Sequence, residues 1–377
     1  MVAIASVVVH RLSTPLLRPF ITAVRRADTL DSIVVEVRDD SGASGWGEAP
    51  TSWRVTGESP VSVVAAIEQV LAPAVTGLPV DDPSAVSAVL AGALVGNSSA
   101  RMAVECAAYD LAAQHAGQPL WRYLGGASGD VSTDMTLSVE SDAAALIGAA
   151  REHVAAGFGV LKVKIGAAGP DAALLAQLRA AVGDGVVLRV DANQAWSVEQ
   201  AIATARTCAE LGLGLEFIEQ PVHRDDVRGL VGVARRSPIP VLADESVWTA
   251  RQLRELLAVA RDAGRDGTRD ASHGIGAVNI KLAKAGGLCE ALEIARIARE
   301  NGLGVVVGCM LESHVGIAAA AALAAAVATP GPDGAPRAQD LDGGLWLRQS
   351  PVEGGIAYDG ERIIVPEAPG LGITGIR

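Results

Sequence analysis

The sequence contains few aromatic residues and few cysteines. Aromatic side chains make up 3% of the 377 residues, whereas hydrophobic residues in total make up 50%, so aliphatic side chains must pack most of the core. The four cysteines, Cys106, Cys208, Cys289 and Cys309, are far apart, and no two of them have CxxC spacing. We therefore expect no cysteine metal knuckle, redox pair or disulfide framework in a chain of this length.

Positive charge is also scarce, since the formal net charge is -12 at pH 7. Nucleic-acid-binding proteins present a basic face, so we expect no nucleic-acid partner. The apolar run Gly316–Ala328 is shorter than the ~20 residues of a membrane-spanning helix, and it predicts a buried helix instead. No basic region precedes the first apolar run, which favours a first strand over a signal peptide. We expect a soluble cytoplasmic protein with no membrane partner.

Two kinds of pattern divide the chain. Up to about residue 125, strand-like segments are followed by apolar residues at helical spacing, which predicts an α+β domain. Beyond it, short apolar runs alternate with Ala-rich helical segments. Because parallel strands need helical crossovers, this alternation predicts a TIM-like barrel. The predicted strands are Asp134–Val139, Val160–Lys164, Val186–Asp191, Leu215–Glu219, Val241–Asp244, Val278–Lys281, Gly304–Gly308 and Arg337–Asp340.

These patterns predict three parts of the chain. An N-terminal α+β domain covers residues 1–125, a barrel that carries the catalytic residues covers 126–345, and a C-terminal segment over 346–377 returns to the N-terminal domain. The segment Arg261–Gly274 is charged and Gly-rich, so it predicts a surface loop inserted before the sixth barrel strand.

Charged residues end five consecutive predicted strands. In chain order, these strand ends are Lys162-Val163-Lys164, Asp191, Glu219, Asp244 and Lys281. The active site of such a barrel lies at the C-terminal ends of its strands, so we expect these side chains to gather there. Three converging carboxylates suit Mg²⁺, which prefers oxygen ligands and keeps positions free for water or substrate oxygen.

The lysines at these strand ends suit proton transfer beside such an ion. A bound cation stabilises the negative charge that develops when a proton leaves the carbon next to a carboxylate. Lys162 and Lys164 point the same way, because side chains on a strand alternate with a period of two. Two adjacent ammonium groups predict a lowered lysine pKa, as a general base requires. Lys281 comes from the opposite side, which would place a base on each face of a planar intermediate.

The segments LKVKIG, VDANQAW, IEQPV, LADES and NIKLAKAGG resemble the barrel motifs of the muconate lactonizing enzyme subgroup of the enolase superfamily. The resemblance covers nearly the whole chain, since RPFITAVRRADTLDSIVVEV resembles the capping domain of that family and GGIAYDGERIIVPEAPGLGI its C-terminal return. It implies an α/β fold with a (β/α)7β barrel and an α+β capping domain, one Mg²⁺ per subunit, and a homo-oligomer. Within the subgroup the sequence is most similar to dipeptide epimerases, notably those of the L-Ala-D/L-Glu type, which implies recycling of cell-wall peptides.

The resemblance also implies catalytic roles. The metal ligands would be Asp191, Glu219 and Asp244, supported by Asn193. Lys164 and Lys281 would exchange the proton, and Lys162 would neutralise the enolate.

The substrate contacts that the resemblance implies are Arg25, Thr136, Asp340 and Asp342. The two aspartates would hold the free α-ammonium group of a dipeptide, and Arg25 would bind its Glu side-chain carboxylate. Two alternatives stay open, because Asp340-Leu341-Asp342 also suits a simple turn and Arg25 also suits a solvated loop. Ile21 stands where a polar residue is expected, which leaves the second residue of the dipeptide open.

Other functions compete with dipeptide epimerisation. A syn-elimination like that of o-succinylbenzoate synthase, a cycloisomerisation, or N-acylamino acid racemisation would use the same scaffold, but these reactions need no aspartates for an ammonium group. A barrel metal-hydrolase would be expected to use histidine ligands, and no histidine ends an early predicted strand. A non-catalytic relative would be expected to lack one of the lysines or carboxylates.

Overall fold

The computed structural model describes residues 2–21, 26–138, 142–165, 171–264, 274–331, 334 and 336–377, and for Ile21 only the backbone. The N-terminal part forms an antiparallel sheet in the order β1-β2-β3. Its strands are β1 (Ile4–Ile21), β2 (Arg26–Asp39) and β3 (Ser44–Pro50). Ile33, Val35 and Val37 alternate along β2 and are fully buried, so one face of the sheet packs on the helices of this domain.

The helices of this part of the chain are α1 (Pro60–Ala66), α2 (Ala72–Val75), α3 (Pro83–Ala93), α4 (Ser98–His115) and α5 (Leu120–Tyr123). A π-helical turn, Ile67–Leu71, joins α1 to α2. Glycines allow α4 to approach β3 closely. A Cβ atom on Gly45 or Gly47 would collide with the backbone carbonyl oxygens of Ala107 or Ala103.

The barrel follows a short strand, β4 (Asp130–Ser132), and contains seven parallel strands in sequence order. They are β5 (Met135–Leu137), β6 (Val160–Lys164), β7 (Val187–Asp191), β8 (Leu215–Glu219), β9 (Val241–Ala243), β10 (Ile275–Lys281) and β11 (Gly304–Gly308). These strands agree with the first seven predicted from the sequence to within a few residues at each end.

Helices alternate with these strands. They are α6 (Ala143–Ala155), α7 (Ala172–Val182), α8 (Val198–Glu210), α9 (Val227–Arg236), α10 (Ala250–Gly264), α11 (Leu282–Ala285), α12 (Leu288–Glu300) and α13 (His314–Val327). Many begin with an aspartate or serine whose side chain accepts a backbone hydrogen bond, as at Asp142 and Ser197. The prediction that the long apolar run forms a buried helix is confirmed by α13.

The eighth predicted strand, Arg337–Asp340, is reduced to two bridging residues. Gln339 bridges to Thr133, and Asp340 bridges to Gly308 at the end of β11. These residues still close the barrel, because the backbone of Gln339 hydrogen-bonds to Ser132 and Asp134, just before β5, and the N–H of Asp340 donates to Val307 of β11. The predicted fold class, an α/β protein with a (β/α)7β barrel and an α+β capping domain, is confirmed.

The C-terminal segment contacts both parts of the molecule. After a 3₁₀ turn at Asp342–Trp346 it forms β12 (Val352–Gly354), β13 (Ala357–Asp359), β14 (Arg362–Ile364) and β15 (Ile373–Ile376). Strand β14 pairs with β4, whereas Gly370 accepts a hydrogen bond from Leu120 of the N-terminal domain. The division of the chain at residues 125 and 345 stays a prediction. In the ranges that the structure covers, no helix combines the length and hydropathy needed to cross a bilayer.

Candidate active site

The C-terminal ends of strands β6 to β10 carry the predicted charged side chains. Lys164 pairs in register with Asp191 of the next strand, and Asp191 pairs with Glu219. Lys281 ends β10, and Asp244 lies one residue beyond β9. The structure therefore brings these side chains to one rim of the barrel, where parallel barrels carry their active sites.

A cavity of about 120 Å³ opens at this rim of the barrel. The N-terminal domain contributes Phe20, Ser52, Arg54 and Val55 to its wall. No histidine lines the described part of the cavity, which argues against a metal-hydrolase. The charged residues that the barrel contributes are Lys162, Lys164, Arg224, Asp244, Glu245, Lys281, Lys284, Asp340 and Asp342.

Each of the three predicted metal ligands is buried and paired with a lysine. The ammonium nitrogen of Lys162 lies 3.2 Å from Oδ2 of Asp191 and 2.8 Å from Oε2 of Glu219. The ammonium nitrogen of Lys281 lies 2.9 Å from Oδ2 of Asp244. Among the described residues, no three acidic, histidine or cysteine side chains form a ready-made metal cluster. The carboxylates are thus brought together, and each of them contacts a lysine ammonium group in this conformation.

The charges and unpaired atoms of the site nevertheless fit a divalent cation. Burial raises the pKa of Glu219 to about 8; Lys162 opposes this rise, and the negative charges of Asp191 and Asp244 add to it. The acidic group is therefore short of positive charge. A buried oxygen of Glu245 has no hydrogen-bond partner in the described part of the chain. Since three carboxylates are a donor set that Mg²⁺ prefers, Asp191, Glu219 and Asp244 would hold the ion.

Lys164 and Lys281 flank this acidic group from opposite sides. Nζ of Lys164 lies 2.8 Å from Oδ2 of Asp191 and 3.2 Å from Oδ1 of Asn193. Lys281 contacts Asp244 on the other flank. Strands β7, β8 and β9 stand between the strands that carry the two lysines. The two amines therefore approach the space above the carboxylates from different directions.

The predicted lowering of the lysine pKa in the Lys162 and Lys164 pair is wrong for Lys162. Burial disfavours its charged form, but Asp340 and Glu219 outweigh burial and raise the pKa of Lys162 well above the ordinary value. The reason is that carboxylates outnumber cations around this buried ammonium group.

Asp340 and Asp342 are buried in the cavity wall, and Asp342 begins the 3₁₀ turn Asp342–Trp346. Oδ2 of Asp340 lies 2.9 Å from Nζ of Lys162. Oδ2 of Asp342 accepts hydrogen bonds from the backbone N–H of Thr136 at 2.9 Å and from the indole of Trp346 at 3.1 Å. Burial and the charge of Asp340 raise the pKa of Asp342. Thr136 therefore orients one of the two predicted ammonium-binding carboxylates.

The loops after β7 and β8 hold strained backbone next to the predicted ligands. Asn193 and Gln194 have φ angles of 42° and 69°, and Gln220 has a φ of 35°. Such left-handed conformations are uncommon for residues other than glycine and occur often at functional sites. The backbone N–H of Asn193 donates to Oδ1 of Asp191 at 2.9 Å, which fixes that carboxylate. Asn193 thus contacts both a predicted ligand and Lys164.

Some predicted features lie outside the described residues. These are Arg25, the side chain of Ile21, and residues 265–273 of the predicted inserted loop. Helix α10 extends into the first part of that segment and ends at Gly264.

Lys284 is a buried residue of the cavity that the strand-end pattern missed. It lies on α11, and its Nζ is 2.5 Å from Oδ1 of Asp244. Burial lowers the pKa of Lys284; Asp244 opposes this effect, and Lys281 reinforces it. A composition signal does point to it. The chain has only four lysines against 27 arginines, and all four lysines line this cavity.

Two family models together match nearly the whole chain. Residues 145–375 match the family described as Enolase C-terminal domain-like, and residues 4–125 match the family described as Mandelate racemase / muconate lactonizing enzyme, N-terminal domain. The chain is 40% identical to an L-Ala-D/L-Glu epimerase from Bacillus subtilis, over 97% of this chain and 95% of that protein.

Two solved structures extend the similarity to the fold. A substrate-liganded complex of the L-Ala-D/L-Glu epimerase from Bacillus subtilis superposes with a TM-score of 0.90 at 39% identity, covering 100% of this chain and 99% of that one. A dipeptide epimerase from Enterococcus faecalis, complexed with Mg and the dipeptide L-Leu-L-Tyr, has a TM-score of 0.87 at 34% identity and covers 99% of both chains.

Proposed function

The chain belongs to the mandelate racemase and muconate lactonizing enzyme family of the enolase superfamily, and we propose that it is a Mg²⁺-dependent dipeptide epimerase. Such an isomerase removes the α-proton of the C-terminal residue of a dipeptide and returns a proton to the opposite face. Two relatives support this proposal: the L-Ala-D/L-Glu epimerase from Bacillus subtilis, solved with its substrate, and the dipeptide epimerase from Enterococcus faecalis, solved with Mg and L-Leu-L-Tyr. The observation that carries it is the position of Lys164 and Lys281 on opposite flanks of three buried carboxylates.

The site contains a complementary group for each end of a dipeptide. Asp340 and Asp342, both in the cavity wall, suit the α-ammonium group of the first residue. The C-terminal carboxylate would point towards the proposed ligands Asp191, Glu219 and Asp244. When bound there, Mg²⁺ supplies positive charge that stabilises the negative charge developing on the substrate carboxylate. The pair of aspartates disfavours elimination and N-acylamino acid racemisation, whose substrates have no free ammonium group.

Proton transfer would then use the two opposed lysines. One of them, in its neutral form, accepts the α-proton on its Nζ, and the C–H electron pair moves into the carboxylate to give a planar enolate. The other lysine, as an ammonium group, donates a proton to the opposite face and inverts the configuration. Lys162 lies 2.8 Å from Glu219, stays charged, and stabilises the enolate electrostatically.

Exchange of the substrate α-proton with solvent deuterium tests this proposal. We expect L-Ala-L-Glu in D₂O to lose the α-proton signal of its C-terminal residue in the NMR spectrum, and the epimer to appear at the same time. Replacing Lys164 or Lys281 singly by Ala should abolish epimerisation. Each single variant should still exchange the proton of the one epimer that faces the remaining lysine. If the Mg²⁺-loaded protein exchanged no proton of any dipeptide, the proposal would be wrong.

We also propose an acidic second residue, of the L-Ala-D/L-Glu type. Support comes from Arg54, which stands at the cavity mouth in addition to the predicted contact Arg25. Arg54 is exposed, and no described residue forms an ion pair or hydrogen bond with its side chain. An arginine with unused donors favours an anionic substrate side chain. Family membership alone leaves this question open, because the Enterococcus relative binds L-Leu-L-Tyr.

A pair of nearly isosteric substrates tests the acidic preference. We expect kcat/KM to be higher for L-Ala-L-Glu than for L-Ala-L-Gln, and Arg54→Met to reduce that ratio about tenfold. Arg26→Met is the matched control, since the Arg26 guanidinium is paired with Asp28 and lies outside this cavity. An unchanged ratio in Arg54→Met would show that Arg54 does not select the side chain.

Three further parts of the proposal derive from the family resemblance: a cytoplasmic location, a symmetric homo-oligomer, and recycling of cell-wall peptides. Light scattering during size-exclusion chromatography would test the assembly. A single-subunit mass at all concentrations would contradict it.

A further inference from the structure

The unusual use of lysine in this chain identifies a residue to which the proposed mechanism gives no role. Arginine is the basic residue at 27 positions and lysine at four. Three of the lysines, Lys162, Lys164 and Lys281, have proposed chemical roles. The fourth, Lys284, lines the same cavity and is 3% exposed. A chain that uses arginine nearly everywhere else thus keeps a lysine at this buried position.

The contacts of Lys284 surround its ammonium group completely. Nζ lies 2.5 Å from Oδ1 and 2.5 Å from the backbone oxygen of Asp244. It also lies 3.1 Å from the backbone oxygen of Val247 and 3.0 Å from that of Asn279. An ammonium group has three N–H donors, and these four oxygens use all of them. Lys284 therefore has no free donor for a substrate.

These contacts divide the two carboxylate oxygens of Asp244 between two lysines. Oδ1 is held by Lys284, whereas Oδ2 lies 2.9 Å from Lys281. The backbone of Asp244 is held as well, since its N–H donates to Oε1 of Gln220 at 3.0 Å and its carbonyl accepts from Lys284. Of the two carboxylate oxygens of Asp244, only Oδ2 contacts Lys281, the lysine proposed to transfer the proton.

We propose that Lys284 is a positioning residue that fixes Asp244, so that Oδ2 alone is presented to the divalent cation and to Lys281. This inference rests on the proposed function, because it gives Asp244 the role of a metal ligand. Groups that orient a ligand in this way change metal affinity by roughly 10–100-fold when they are removed. Lysine suits the position better than arginine because its compact ammonium group can bond to oxygens in several directions, whereas a guanidinium group is planar and larger.

Mg²⁺ binding without substrate tests the inference separately from epimerase activity. By isothermal titration calorimetry, we expect Lys284→Met to raise the Kd for Mg²⁺ about 10–100-fold. We expect Lys284→Arg to raise it as well, because charge without the correct shape does not position the carboxylate. An unchanged Kd in Lys284→Met would overturn the inference, whatever the activity of that variant.

Arg179→Met is a matched control for the loss of a cation that is bonded to backbone oxygens. Arg179 donates to the carbonyl oxygens of Leu213, Gly183 and Val186, away from the cavity. Its replacement should lower the unfolding midpoint but leave the Kd for Mg²⁺ unchanged. If Arg179→Met raised this Kd by the same factor as Lys284→Met, the effect would be general destabilisation, and the inference would be wrong.

Lysine-specific NMR on the unsubstituted protein covers the case in which Lys284→Met does not fold. Because the chain has four lysines, protein labelled with ¹⁵N in lysine side chains gives four ammonium signals, all from this site. Single substitutions of Lys164 and Lys281 assign two of them. On adding Mg²⁺ we expect the Lys281 signal to shift and one slowly exchanging signal, from Lys284, to stay. If Mg²⁺ shifted every remaining signal as much as that of Lys281, Lys284 would not hold Asp244 in place.

Discussion

Buried carboxylates have different partners in two regions of this molecule. In the active site, Asp191, Glu219 and Asp244 lie against lysine ammonium groups. At the joint between the N-terminal domain and the barrel, Glu48 and Glu105 accept hydrogen bonds from backbone N–H groups at the starts of helices α13 and α12. Carboxylates are thus paired with side-chain ammonium groups in one region and with backbone N–H groups in the other.

The difference determines what each region can do. Glu48 accepts from the N–H of Ser313 at 3.0 Å, from the N–H of Gly316 at 2.9 Å and from the hydroxyl of Ser32 at 2.7 Å. Helix N-termini stabilise such anions, and their N–H groups cannot turn away. A lysine side chain has rotatable bonds that a helical N–H group lacks, so a carboxylate such as Glu219 is able to exchange an ammonium group for a metal ion. Fixed partners favour stability, and exchangeable partners favour catalysis.

The largest effect is expected from replacing an active-site carboxylate. Asp244→Asn removes the charge that Lys281 and Lys284 share, and we expect kcat/KM to fall by about 10²–10³-fold because the cation is lost. Calorimetry should detect no Mg²⁺ binding, and a chelator should inactivate the unsubstituted enzyme equally. The circular dichroism spectrum should be unchanged. Activity within tenfold of the unsubstituted enzyme would contradict the assigned role of Asp244.

Replacing Glu48, at the joint between the N-terminal domain and the barrel, should reduce stability and leave metal binding unchanged. Glu48→Ala leaves the N–H groups of Ser313 and Gly316 without their acceptor, and we expect about 3 kcal/mol of lost unfolding free energy in urea titrations. The variant should keep the Kd for Mg²⁺, since Glu48 does not line the cavity. Glu48→Gln should lose less unfolding free energy, because its amide oxygen can still accept a hydrogen bond from these N–H groups. A weakened Mg²⁺ affinity would mean that the two regions are coupled.

Glu105 should make the stability of the protein depend on pH. Burial raises the pKa of Glu105 to about 7, although the N–H of Cys289 lowers it. A raised acid pKa means that the folded protein favours the protonated form, so this stabilisation is present below pH 4.5 and is lost as the pH rises to about 7. The expected change is roughly 3 kcal/mol. Urea titrations from pH 5 to 8 should show this slope in the unsubstituted protein and lose it in Glu105→Gln.

The smallest effect is expected for carboxylates that are neither buried nor fixed. Arg296 forms ion pairs with Glu293 and Glu300 on the outer face of α12. Exposed pairs of this kind contribute little, because water and salt screen them. We expect Arg296→Ala to leave both the urea midpoint and kcat/KM within experimental error. A clear loss of stability would show that burial is not what separates strong from weak carboxylate partners here.

The strand-end pattern predicted the active-site carboxylates but not those of the joint. Asp191 and Glu219 end apolar runs at a regular spacing, so their meeting follows from the barrel alone. No regular spacing marks Glu48 or Glu105, and their partners are 265 and 184 residues away in sequence. Such contacts depend on how two domains dock, which local patterns do not encode.

Local sequence patterns also failed to predict the direction of a lysine pKa shift. Two neighbouring lysines on one strand predicted a lowered lysine pKa. At Lys162 the pKa is raised instead, because buried carboxylates from other strands stabilise its charged form. The strand-end pattern missed Lys284 because this residue stands on α11, beyond the strand end, and its contact with Asp244 is visible only in the structure.

The sequence alone determined the barrel, the order of charged strand ends and the family, because each depends on short-range periodicity or on motifs. Only the tertiary structure decided which carboxylate meets which cation, that the eighth strand shrinks to Gln339 and Asp340, and that Arg54 and Lys284 reach the cavity. The physical reason is that the strength and sign of an electrostatic contact depend on distance and burial. Both are set by residues far apart along the chain.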